Sequence, residues 1–241
     1  MNAPLPTNEA ERLAALKEYR ILDTGTERSY DDITALAAHI CEVPIAMISL
    51  VDEARQWFKS RVGVEQQQTP REVAFCAHAI LQDKPFIISD ATKDKRFAGN
   101  SLVTGEPHIR FYAGVPLVNP EGLALGTLCV VDHQPHQLSA AQQKTLQALS
   151  RQVMALLELR RISARLANAL EQVKTLQELL PICAWCKRIR DDEGYWNQVE
   201  AYLHKYAGAD FTHGICPQCL EKLHAKWKHK GPATKTAPAQ T

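Results

Sequence analysis

Apolar positions change period several times along the chain. After Thr7 and Asn8, Leu13, Leu16 and Tyr19 recur every three residues behind Glu9 and Glu11, which predicts a short amphipathic helix with a polar cap. Ser29 as N-cap, Asp31 and Asp32 in the first turn, and Ile33, Leu36, Ala37 and Ile40 on one face predict a second. From Pro44 the pattern becomes that of strands. IAMISLVD and QWFKSRVG, joined by the polar turn Asp52-Glu53-Ala54-Arg55, predict an antiparallel hairpin. A short helix over 71–82, a strand over 86–89 and an irregular polar stretch over 90–107 follow. Strands over 110–118 and 123–131 are separated by Asn119-Pro120-Glu121-Gly122.

Ser139 with Gln142 forms a capping box, and neither Gly nor Pro occurs from there to Pro181, which predicts one long helix. Leu146, Leu149, Val153 and Leu156 follow a 3-4-3 rhythm. Leu159, Ile162, Leu166, Ala169, Val173, Leu176 and Leu180 continue it after a three-residue step, a stammer-like discontinuity in a coiled-coil repeat. At roughly 60 Å such a helix outreaches one small domain, so pairing of two copies as a parallel homodimer is expected. The alternative for the part beyond Arg160 is a single amphipathic helix folded onto its own domain.

Residues 181–227 form a last unit rich in rings: Trp185, Tyr195, Trp196, Tyr202, Tyr206, Phe211 and Trp227. Trp196, Val199, Leu203 and Tyr206 lie on one face of a helix that Gly208 ends, and the tail 228–241 has a disordered composition. So small a unit rarely holds together on apolar burial alone. Its staple is a pair of C-x2-C turns, Cys183/Cys186 and Cys216/Cys219, whose four sulfurs match the tetrahedral set preferred by zinc. Lys187, Arg188 and Arg190 would offset the charge of four thiolates, and His213 is a substitute ligand. A redox dithiol is the competing reading, because Cys216 precedes a helix where a thiolate is stabilised. Unliganded buried thiols are a third.

Composition narrows the function classes. The 241 residues are 45% hydrophobic and 23% charged, an ordinary globular balance, and the net charge is +1. No polyelectrolyte partner is demanded by that charge, although Lys222, Lys226, Lys228 and Lys230 beside several rings keep a nucleic-acid-binding module as a lesser reading. The longest apolar run, 44–51, is far short of the ~20 residues of a membrane span. No secretory leader is visible, so a reducing cytoplasm is expected and Cys41, Cys76 and Cys129 are expected to be free.

Several phrases are similar to those of a known family. ERLAALKEYRILDT, REVAFCAHAI, ISDATKDKRFAGNSLVTGEPHIRFYAGVPL and GTLCVVD ahead of LSAAQQ resemble the GAF domains at the front of bacterial sensor kinases and diguanylate cyclases. Ser101 departs from the Pro common there. LLPICAWCKRIRDDEGYWNQVEAYL and FTHGICPQC resemble a small cysteine-containing module appended to bacterial PAS, GAF and receiver-domain proteins. The resemblance implies an α+β fold: a GAF-like antiparallel sheet with flanking helices over 8–140, a signalling helix over 141–180 and the cysteine module over 181–227, after a flexible 1–7. It also implies a small-ligand pocket near Phe75, His78, Asp90, Arg96, Phe97, Phe111, Tyr112 and Gly114. The plainer reading makes the three Phe core and Asp90, Asp94 and Arg96 a structural ion pair.

Cys76 beside His78 invites a bilin or haem reading, but bilin-binding relatives carry that pair in a different helix. GAF-fold methionine sulfoxide reductases use cysteines over the pocket, whereas Cys41 at a helix end and Cys129 inside a strand have positions typical of inert buried thiols. No G-x-S-x-G, P-loop or H-E-x-x-H motif is present, nor any kinase, cyclase or helix-turn-helix output. The expectation is therefore a sensor or adaptor without catalytic chemistry, acting on a protein partner through a zinc module.

Overall fold

A computed structural model describes residues 3–177 and 180–228. The side chains of Val173, Leu176 and Trp227, and the expected tail except Lys228, lie outside the described residues, as do residues 1 and 2. The chain divides into two compact units, Met1–Leu170 and Glu171–Thr241.

The first unit begins with helices α1 (Glu9–Glu18) and α2 (Arg28–Cys41). The hairpin follows as β1 (Ile45–Val51) and β2 (Arg55–Val62), then β3 (Gln68–Pro70), a 3-10 turn at Arg71–Val73, and α3 (Phe75–Ala79). After β4 (Phe86–Ile88) and α4 (Ser101–Thr104) come β5 (Phe111–Val118) and β6 (Ala124–Asp132), and α5 (Ala140–Gln177), whose residues up to Leu170 belong to this unit, closes the order. The strands form one antiparallel sheet in the order β3-β2-β1-β6-β5-β4. The predicted helix over 71–82 is broken because Ala74 is extended, with ψ of 122°.

Alternation along the central strands divides the interior in two. Ala46, Ile48, Leu50, Phe111, Ala113, Leu128 and Val130 face α1, α2 and α5. Ile45, Met47, Tyr112, Cys129 and Val131 face α3 and the irregular segments before β5.

A bulge decides one edge. Ile48 pairs with Ser60 and Ser49 with Phe58, leaving Lys59 as the extra residue. Lys59 is buried and donates to Thr24 Oγ1 (3.0 Å), the Gly25 carbonyl (2.6 Å) and Glu27 Oε1 (2.6 Å), while Ser60 donates to Asp31 (2.6 Å). Arg160 of α5 reaches the same Glu27 oxygen at 2.7 Å. The start of α2 lies two residues earlier than the Ser29 cap predicts: Glu27 holds the N-cap position, its carboxylate taken by Lys59 and Arg160.

The capping box at the start of α5 is formed, with the Ser139 N–H on Gln142 Oε1 (2.9 Å) and the Gln142 N–H on Ser139 Oγ (3.2 Å). Leu146, Val153 and Leu157 are buried in the first core, whereas Leu159, Ile162, Leu166 and Leu170 are exposed. At 100° per residue the two sets lie on roughly opposite faces of the helix. The three-residue step after Leu156 is therefore a change of face, not a stammer within one seam. Arg161 and its acidic partners end the docked portion, with Arg161 on Glu158 (2.9 Å) and Glu121 (3.0 Å) and Arg165 on Glu18 (2.5 Å).

The second unit holds a two-stranded ribbon of β7 (Ile189–Arg190) and β8 (Trp196–Asn197), then α6 (Val199–Ala207) and α7 (Pro217–Lys228). Gly208 ends α6 in the left-handed conformation the sequence predicts (φ 61°), but Trp196 belongs to β8, not to the helix. Among its described residues only Ile189 and Asp191 are buried. Among the described residues no helix is long and apolar enough to cross a membrane.

Candidate functional site

Six of the eight residues named for the pocket, Gly114 among them, gather on the α3 side of the sheet. Phe75, first residue of α3, stacks on Phe97 with centroids 4.1 Å apart and planes 11° off parallel, and on Tyr112 of β5 at 5.2 Å. His78, one turn along α3, meets the Phe97 edge at 4.8 Å. Arg96 covers Phe86 and Phe97 from outside at 4.8 and 5.5 Å, held by Asp94 at 2.6 Å. That ion pair keeps the Asp94 carboxyl below the ordinary carboxylate range.

Gly114 takes part through its lack of a side chain. Two residues beyond Tyr112 on the same face, it lies under the Tyr112 hydroxyl, and a Cβ there would collide with that oxygen. Asp90 closes its own turn, accepting from the Thr92 hydroxyl (2.6 Å) and Lys93 (2.9 Å), which hold its carboxyl low. Phe111 does not join the group. Adjacent to Tyr112 on β5, it points to the other face, into the helix-side core, where His136 meets its ring at 5.1 Å.

The stacked rings fill their own space, and Phe75, Phe97 and Tyr112 are buried. Open volume lies elsewhere on that face, in a cleft of about 190 Å³ walled by Ile45, Met47, Phe58, Leu102, Ile109 and Val131, with Gln56, Gln66, Thr69 and Glu106 as its polar groups. Gln56 is buried and donates to Thr69 Oγ1 at 2.7 Å. The sequence reading missed this cleft. Its walls come from four separate segments that only the strand register brings together, although the alternation of Ile45 and Met47 marks that face of β1.

Each cysteine pair of the second unit is formed locally. The Cys186 N–H points at Cys183 Sγ (3.5 Å), the Lys187 N–H bonds the Cys183 carbonyl (3.0 Å), and Lys187 takes φ of 61° to close the turn. Backbone donors of Cys186 and Trp185 lower the Cys183 thiol. Cys216 stands just before α7, where backbone donors led by Cys219 lower its thiol likewise. Among the described residues, however, no group of three or more His, Cys, Asp or Glu side chains is placed to hold one ion. Lys222 and Lys226 are exposed on α7, and Lys230 lies outside the described residues.

Comparison with known proteins gives a relative 44% identical over 153 residues, 63% of this chain: the cyclic di-GMP phosphodiesterase PA2567 of Pseudomonas aeruginosa. The chain spans about a quarter (26%) of that relative's length. Similar solved structures include the GAF domain of an Acinetobacter phosphoenolpyruvate-protein phosphotransferase (19% identity, TM-score 0.47, covering 64% of this chain and 95% of that one). Another is a domain of a two-component sensor histidine kinase protein from Sinorhizobium meliloti 1021 (17% identity, TM-score 0.46, covering 61% and 99%).

The Pseudomonas relative overturns one expectation, that the chain is not an enzyme, since a protein this similar carries an enzyme's name. The missing short motifs were no ground against catalysis, because carboxylate and metal chemistry needs no contiguous motif. Residues 26–157, more than half of the chain, match the family model described as GAF domain, and the chain belongs to the GAF domain family.

Proposed function

We propose that this chain is a cytoplasmic signal-transduction sensor in which the GAF domain takes up a small molecule, α5 pairs with a second copy, and the cysteine module, stapled by one zinc ion, meets a protein partner. The observation that carries this reading is the two-faced helix. One face of α5 is docked in the GAF core, and the opposite face exposes Leu159, Ile162, Leu166 and Leu170. On that outer face a 4-3 spacing runs unbroken through Ala148, Gln152, Ala155, Leu159, Ile162, Leu166 and Ala169, a heptad seam whose first members are small or polar. A parallel partner would cover it.

The small molecule is assigned to the α3 side of the sheet, where Phe75, Phe97 and Tyr112 form an aromatic block beside Gly114, His78 and Arg96 border the block, Asp90 stands in the turn after β4, and the cleft offers room. The Pseudomonas relative supports a place in second-messenger signalling for the shared segment. Zinc is supported by the second unit's scant core: Trp185 is 95% exposed, and Ile182, Phe211, Ile215, Leu220 and Leu223 are exposed too. Such a unit needs a covalent or metal staple. Zinc bound by Cys183, Cys186, Cys216 and Cys219 would supply structural cross-linking, with no open position for chemistry.

Light scattering of the purified chain tests the reading. A dimer at micromolar concentration that becomes a monomer in L159E/L166E, with an unchanged melting temperature, is the expected result. A monomeric wild type overturns it.

A further inference from the structure

Cys76 and Cys129 meet in the middle of the α3-side core. Cys76 is the second residue of α3 and Cys129 lies within β6, 53 positions apart, yet their Sγ atoms are 3.8 Å from each other and both are buried. Strand register makes the contact. Cys129 is opposite Met47 on β1 and Gly114 on β5, and the missing side chain of Gly114 lets Tyr112 lean over it until its hydroxyl donates to Cys76 Sγ at 3.3 Å. Cys129 Sγ in turn lies 3.6 Å from the Met47 carbonyl. The two sulfurs are thus at van der Waals contact with separate polar partners, one receiving a hydrogen bond and the other giving one.

We propose that Cys76 and Cys129 form a redox pair that closes to a disulfide when hydrogen peroxide reaches the core. Cys76 Sγ attacks one peroxide oxygen, the O–O bond breaks, and the departing hydroxide leaves as water with the Cys76 proton; Cys76 then carries a sulfenic acid. Cys129 Sγ attacks that sulfur, the S–O bond breaks, and its hydroxyl leaves as a second water with the Cys129 proton. Two thiols lose two electrons, and one peroxide becomes two waters.

The environment gives the sulfurs different parts. Burial pushes the Cys76 thiol up, but hydrogen bonds led by Cys129 and including Tyr112 outweigh it and hold it below the ordinary thiol range. Its hydrogen bond to Cys76 holds the Cys129 thiol well above that range, with burial adding to the effect. Cys76 is therefore the attacking sulfur and Cys129 the resolving one. Met47 and Val131, which flank Cys129 across and along the sheet, wall the 190 Å³ cleft, ample for a molecule the size of peroxide. Bonding at about 2.05 Å draws α3 toward β6, and Phe75, beside Cys76, carries the stack on Phe97 with it.

Peptide mapping by mass spectrometry tests this on the full chain, treated with a few equivalents of peroxide, unfolded and alkylated. A Cys76–Cys129 cross-linked peptide that grows with peroxide, is reversed by dithiothreitol and leaves Cys41 alkylated is expected. In C129S, dimedone should trap a sulfenic acid at Cys76. Full alkylation of both sulfurs, or a cross-link from either to another cysteine, overturns the pair, and C129S without trapped sulfenic acid overturns the order of attack.

Discussion

Arg161 and Glu121 meet across forty residues of sequence, with Nη1 and Nη2 of the arginine each 3.0 Å from Glu121 Oε1. The contact ties α5 to the turn between β5 and β6, and the same guanidinium lies 5.0 Å from the Tyr19 ring while Tyr19 hydrogen bonds Glu158. Arg161 is buried although Glu121 is half exposed, so its truncation removes packing as well as charge. R161A is expected to cost about 1–3 kcal/mol, measured by urea unfolding, whereas E121Q should cost less.

Glu9 gives the domain an acid-sensitive anchor. It accepts from Arg12 (2.8 Å), which is buried and bonds the Val51 carbonyl, and from Arg71 (2.5 Å). Burial pushes the Glu9 carboxyl up, but the two arginines outweigh it and bring it from 4.5 down to about 2. A carboxyl lowered in the folded state stabilises fully above its unfolded value and loses that contribution as pH falls toward the folded one. E9Q should therefore melt below wild type at pH 6, by about 2–3 kcal/mol, with the gap shrinking between pH 4.5 and 2.

Gly114 is set by the Tyr112 ring above it. G114A places a methyl against the tyrosine hydroxyl, and overpacking of this kind costs about 1–3 kcal/mol. Loss of thermal stability is expected in G114A, and the double variant G114A/Y112F, which removes the colliding oxygen, should recover part of it.

Zinc removal should act on one unit alone. Metal analysis is expected to find one zinc per chain, with four thiols becoming reactive only after chelation. The melting transition of residues 26–157 should be unchanged, since none of the four cysteines belongs to the first unit. Four thiols that react without chelation would favour the dithiol reading.

Local patterns were the legible part. The hairpin, the β5–β6 pair and the α5 capping box follow from alternation, turn residues and the Ser139/Gln142 spacing. The β3 strand of three residues and α4 of four are too short to carry a period. At the candidate site, Phe75, Phe97 and Tyr112 stack together, but Phe111 does not join them, because neighbours on a strand point to opposite faces. Cys76 and Cys129 illustrate the harder case: spacing along the chain says nothing about two thiols that touch only through cross-strand register.

Glu27, shared between Lys59 and Arg160, makes the release of α5 asymmetric. Lys59 has no exposed side-chain surface and pairs with Glu27 at 2.6 Å, whereas the Arg160 side chain is 31% exposed. If the helix lifted at this point, the carboxylate would keep its lysine and the arginine would pass into water, stranding neither sign of charge. The buried ammonium and the half-exposed guanidinium thus hold one carboxylate unequally, and the contact to the helix is the one whose loss leaves no buried charge without its counter-charge.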